Sequence, residues 1–168
     1  YKKIVYLCGM NIFFLDFDTK KCAEYHCDKH VVKMILETAQ LLCSTHWVIG
    51  SEAPYKLSHK NHPCSIWVRE SLSNYLYLCD LGLELCKEYT YRYGKRHKSQ
   101  DVIEWCLTNK PNISDTEFTE PPKAMPDEYK VNNVVESYRN YYIGAKKDFA
   151  KWKNRNIPEW FSNKYIFM

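Results

Sequence analysis

Between Thr19 and Trp47 the apolar positions recur with the period of a helix. Val31, Val32, Ile35, Leu36, Ala39, Leu42 and Cys43, extended by Met34 and Leu41, cover a broad arc. So much apolar surface predicts a helix buried on most sides. Asp18 suits its N-cap and no Gly or Pro intervenes, so one helix of about seven turns is expected from Thr19 to Trp47. The remaining wedge is narrow and polar. His26, Lys29, His30, Lys33, Glu37, Gln40 and Ser44 follow one another at spacings of three and four and form one line. Two readings are open: a solvated face on which Lys33 and Glu37 form an exposed pair, or the wall of an active cleft.

Asn11 to Asp16, a short apolar run before a turn-forming Asp-Phe-Asp, reads as a buried strand feeding that helix, and Ile4 to Leu7 could pair with it. After Gly50 and Pro54 a polar loop leads to Pro63, which suits the first turn of a second helix. That helix is expected to end at Gly94, with a bend near Ser71 to Asn74, and to pack on the first through Ile66, Trp67, Leu72, Tyr75, Leu76 and Leu83. A basic turn, Lys95 to Lys98, precedes a shorter helix capped by Ser99. Residues 110–129 carry four of the seven prolines and read as a long ordered loop. Val131 to Lys153 is predicted as a last long helix, with Trp160 and Phe161 packing the tail. The fold class is therefore mainly α, a compact bundle of long helices with a short N-terminal strand or hairpin. One domain is expected over residues 1–168: a core of 10–161, a tail of 162–168, and an upstream extension of 1–9, since Tyr1 is not an initiator and Met10 reads as the start.

Composition narrows the setting. Fourteen tyrosines exclude a disordered chain, and the short, charge-broken apolar runs exclude a membrane span or signal peptide. Eight cysteines without a Cys-x-x-Cys pair, mostly within helical runs, read as buried free thiols in a reducing, intracellular compartment such as the cytoplasm. A net charge of +4 permits a nucleic-acid partner without demanding one.

His26 and His30, four apart, have the spacing with which two imidazoles bind one metal, but Cys27 and Asp28 follow where the zinc-protease pattern has Glu, so no metal ligand is assigned. His59, Lys60 and His62 stand before a helix N-terminus, where free amides favour phosphate, with Arg69 as a bidentate partner; the other reading is a capping loop. Arg139, Tyr142 and Lys146 belong to an aromatic and basic stretch that can hold phosphates and stack on bases, or simply face a core.

Through CAEYHCDKHVVKMILETAQLL, NHPCSIWVRESLSNY, EYTYRYGK, AMPDEYK and ESYRNYYIGAKKDFAKWKN, the chain resembles small phage and virus proteins of the pyrimidine-dimer DNA glycosylase, or endonuclease V-like, family. The resemblance covers Met10 to Phe161. It implies a mostly helical enzyme that cuts the glycosidic bond at pyrimidine dimers through a Schiff base formed by a terminal amine, assisted by a glutamate. Ala23-Glu24-Tyr25 matches that family's first long helix, but Cys27, with Asp28 beside it, stands where its catalytic glutamate falls. Lys29 or Lys33 would then supply the amine, and Glu37 or Asp28 would position water or stabilise charge at the sugar.

The expected function is a DNA-repair N-glycosylase with AP-lyase activity, acting without a cofactor. Its catalytic set is His26, Asp28, Lys29, His30, Lys33 and Glu37, and its phosphate-binding set Gln40, His59, Lys60, His62, Arg69, Arg139, Tyr142 and Lys146. The alternatives are a viral hydrolase or transferase acting on free nucleotides, and a noncatalytic nucleic-acid-binding module.

Overall fold

A computed structural model describes residues 10–166, with side chains to 162. Within these limits the chain forms seven α-helices: α1 (Thr19–Tyr25), α2 (Asp28–Val48), α3 (Pro63–Glu70), α4 (Leu72–Tyr93), α5 (Gln100–Thr108), α6 (Val134–Ala145) and α7 (Glu159–Ile166). A 3-10 turn, Asp127–Tyr129, precedes α6. The long pair α2 and α4 forms the centre. α1 and α5 pack on α4, α3 lies against both, and α7 packs on α6.

Three expectations are corrected. The expected strand at Asn11 to Asp16 is an extended segment without a ladder, and no strand exists among the described residues. Ile12, Phe13, Phe14 and Leu15 are all buried, so the segment threads through the core. Side chains take the place of a partner strand. The Cys22 thiol donates to the Phe13 carbonyl, Arg139 Nε to the Leu15 carbonyl, and Asn11 Oδ1 accepts from the Ile12 amide. The proposed pairing partner, Ile4 to Leu7, lies outside the described residues.

The single helix from Thr19 to Trp47 is two. His26 and Cys27 are extended, with ψ of 133° and 160°. Neither is a helix breaker, and the cause is distant in sequence. The carbonyls that end α1 are taken from outside: Glu24 O accepts from Arg92 Nη2 at 2.9 Å and Tyr25 O from Trp152 Nε1 at 2.8 Å. On the other side of the break, the Asp28 amide donates to Lys151 O at 2.7 Å.

The last long helix is likewise shorter, because it stops at Ala145 and a loop of turns follows to Pro158. That loop supplies Lys151 and Trp152 to the break.

Other features follow the pattern. The second helix breaks at Ser71, whose hydroxyl caps α4 by accepting from the Asn74 amide, and Gly94 ends α4 with φ of +68°. Loop 110–126 is ordered through Thr119, which is bonded to Trp67 and Asn74. The seven described cysteines are buried and free. A fourth correction concerns burial: Val32 and Leu36, expected in the buried arc, are 41% and 42% exposed, as they border an open groove.

Candidate active site and nucleic-acid interface

The predicted catalytic residues separate at the break. His26 leaves the helical line: it is buried, its Nδ1–H donates to Cys22 O at 2.6 Å, and burial pushes its pKa down to about 4. Asp28 is held by Arg92 Nη1 at 2.9 Å and by the Lys153 amide at 2.8 Å. It belongs to a buried network in which Arg92 also binds Glu88, and Arg155 reaches Glu88 from the C-terminal loop. The pair His26 and His30 finds no third His, Cys, Asp or Glu grouped with it among the described residues.

The rest of the line remains together on α2. His30 lies under its first turn, stacked on Phe13 with centroids 4.3 Å apart. Its Nδ1 is 2.6 Å from the Tyr142 hydroxyl, whose oxygen also receives the Cys27 amide. The Tyr142 hydroxyl thus ties the His30 ring to the start of α2. Burial, with His26, Lys146, Lys33 and Lys29 adding to it, pushes the His30 pKa down to about 2. His30 is a neutral, fixed imidazole.

Three ammonium groups surround it. Lys29 lies over the Phe149 ring at 4.8 Å and Lys146, just past α6, over Tyr141 at 4.6 Å. Lys33 stands one turn along α2 from Lys29. Lys146 is half-buried, and burial, with Lys33 and Lys29 nearby, lowers its pKa below the ordinary lysine value.

One turn beyond Lys33, Glu37 is buried and its Oε2 has no hydrogen-bond partner among the described residues. Desolvation pushes its pKa up to about 8 against the pull of Lys33, so near neutrality the carboxyl is mainly protonated. The exposed Lys33–Glu37 pair of the solvated reading is absent. On the facing helix α3, His62 Nε2 and Ser65 Oγ are also buried without partners.

Of the expected phosphate ligands, His62 is the N-cap of α3, its Nδ1 accepting from the Cys64 amide at 3.0 Å, and His59 and Lys60 are exposed before it. Arg69 turns back to donate to Lys60 O at 2.7 Å. Arg139 is tied to Asp16 and Leu15 O but stays partly exposed, whereas Tyr142 is fully buried and presents no surface to a nucleic acid. Gln40 borders the groove on the other flank of Lys33. Tyr141 and Phe149 belong to the aromatic and basic stretch of the sequence, but the pattern did not reveal Phe13 beside them, nor the groove residues Tyr55, Lys56, Leu57 and Ser58. The traces of the groove were the polar loop before Pro63 and the basic turn at Lys95 to Lys98.

A helical protein with a protonated buried carboxyl beside crowded amines is equipped for acid–base and amine chemistry on an anionic substrate. The chain belongs to the pyrimidine dimer DNA glycosylase family, whose profile matches residues 10–101, more than half of its length. Membership places it among the DNA-repair glycosylases, enzymes whose substrate is DNA. The matched span holds His30, Lys33, Glu37 and His62 and ends before Lys146. Searches of curated proteins and of solved structures returned no match to this chain.

Proposed function

We propose that this DNA-repair glycosylase is bifunctional, with Lys146 as its amine nucleophile and Glu37 as its general acid. The observation that carries this reading is the half-buried Lys146, packed over the Tyr141 and Phe149 rings, its pKa lowered by burial and by two neighbouring lysines. Lys29 and Lys33 remain cationic partners for the DNA phosphates. His30, neutral and stacked on Phe13, shapes the floor.

In this scheme the Lys146 Nζ lone pair attacks C1′ of the deoxyribose. The C1′–N bond breaks, its electron pair leaving on the pyrimidine, which takes the Glu37 proton. The bound nitrogen then passes a proton to O4′ as the sugar ring opens to a protonated Schiff base. Glu37, now a carboxylate, removes a proton from C2′, and the C3′–O bond breaks with the 3′-phosphate leaving. This last step is the lyase activity, and it returns Glu37 to its starting state.

Borohydride trapping on duplexes carrying a cyclobutane dimer or an abasic site tests the scheme. A covalent adduct in the wild type, mapping by peptide sequencing to Lys146 and lost in Lys146→Ala, is expected. An adduct on Lys33 or Lys29 moves the nucleophile to α2, and base release without any adduct removes the lyase step.

A further inference from the structure

On the far flank of Lys33 a cavity of about 830 Å3 opens between α2, residues 55–58 and the turn before α5. It falls within the ~300–1,000 Å3 range of small-molecule sites. Val32, Leu36 and Leu57 supply apolar walls that are 41–45% exposed, a surface with nothing upon it among the described residues. Lys33, Lys56 and Lys98 stand around these walls, and none is within ion-pair distance of a carboxylate among the described residues.

The walls are braced. Ser44 Oγ donates to Ser58 O and accepts from the Ser58 amide, both at 3.0 Å, and Trp47 Nε1 donates to Tyr55 O at 2.7 Å. The Tyr55 hydroxyl is 2.8 Å from Ser99 Oγ, and His97 Nε2–H donates to Val32 O at 3.1 Å while its Nδ1 accepts from the Ser99 amide. Within this frame one polar side chain remains unused: the half-buried Gln40 amide borders the cavity and forms no hydrogen bond among the described residues. An amide that can donate and accept is what the edge of a nucleobase demands.

We propose that this cavity binds a free nucleoside monophosphate. The base lies against Val32, Leu36 and Leu57 with its edge on Gln40, and the phosphate is held by Lys56 and Lys98. No acidic residue lines the cavity, which matches a ligand of net negative charge. The site is distinct from the proposed amine chemistry and shares only Lys33 with it, so an occupied cavity competes with DNA for that lysine. The family enters only in the choice of a pyrimidine as probe.

Calorimetric titration of the full chain with thymidine 5′-monophosphate, thymidine and inorganic phosphate tests the assignment without any DNA reaction. Saturable binding of the monophosphate is expected, weakened about tenfold or more in Lys56→Ala/Lys98→Ala, as loss of charge-assisted contacts implies. Gln40→Leu should weaken the monophosphate and thymidine alike. Absence of saturable binding, or binding that the double variant leaves unchanged, overturns the proposal. It is equally overturned if the double variant weakens only a single-stranded oligonucleotide, since the cavity then serves the strand. None of these results depends on whether Lys146 forms an adduct.

Discussion

Glu37 shows how much one side chain can reveal about a site. Four residues from Lys33, it could have been half of a surface pair worth a few tenths of a kcal/mol. Instead it is buried, and its pKa of about 8 lies above the value for an unfolded chain. Between those two values the folded state binds more protons, so stability falls as pH rises from about 4.5 to about 8. Glu37→Gln should therefore match the wild type in thermal melts near pH 4.5 and gain on it by on the order of a few kcal/mol above pH 8. Base release should decline as pH passes about 8 in the wild type, where the acid loses the proton it donates. Glu37→Gln should lower the rate and abolish that limb. A stability gap independent of pH would mean that Glu37 is ionised in the fold.

At the scale of elements, the break between α1 and α2 depends on Arg92, whose side chain is fully buried and joins Glu24 O, Glu88 and Asp28. Removing it leaves Asp28 and the Glu24 carbonyl without their guanidinium and Glu88 with Arg155 alone. Arg92→Ala should cost about 3–5 kcal/mol in urea denaturation, as breaking a buried ion pair does. Arg92→Lys should recover only part of this, because an ammonium cannot span three acceptors in one plane. Where α4 crosses α2 and α5, a Cβ on Gly82 would lie 2.8 Å from Thr38 Cγ2 and 3.1 Å from Ile103 Cδ1. Gly82→Ala should then destabilise by about 1 kcal/mol, the overpacking exceeding the gain in helix propensity.

Across the whole molecule, the charges that matter for DNA come from two distant parts of the chain. Lys29 and Lys33 lie on α2, whereas Lys146 follows α6, and the fold gathers them around His30. If Lys29 and Lys33 face phosphates, the slope of log affinity against log salt should shrink by about 1 for each of these two replaced by alanine, and by less for the proposed nucleophile Lys146, whose pKa is lowered. Fluorescence anisotropy of a labelled duplex over a salt series measures this. An unchanged slope for Lys29→Ala would remove it from the interface. Among the described residues, no helix is long and apolar enough to cross a membrane.

By itself the sequence determined the helical class, the buried thiols, the Gly94 boundary, a bend near Ser71 that proves to be a break, and the polar line along α2. These follow from local rules: apolar period, capping chemistry and the φ that glycine permits. Tertiary structure alone decided the break at His26, the ladderless Phe13 segment, and the exposure of Val32 and Leu36. It also decided the roles of charged and aromatic residues. Asp28 and Arg139 became internal ties, Tyr142 the partner of His30, and Lys146 a candidate nucleophile. The reason is physical. A break held by Arg92 and Trp152, or a pKa set by burial and by neighbours from another helix, depends on contacts between residues far apart in the chain, which no local pattern encodes.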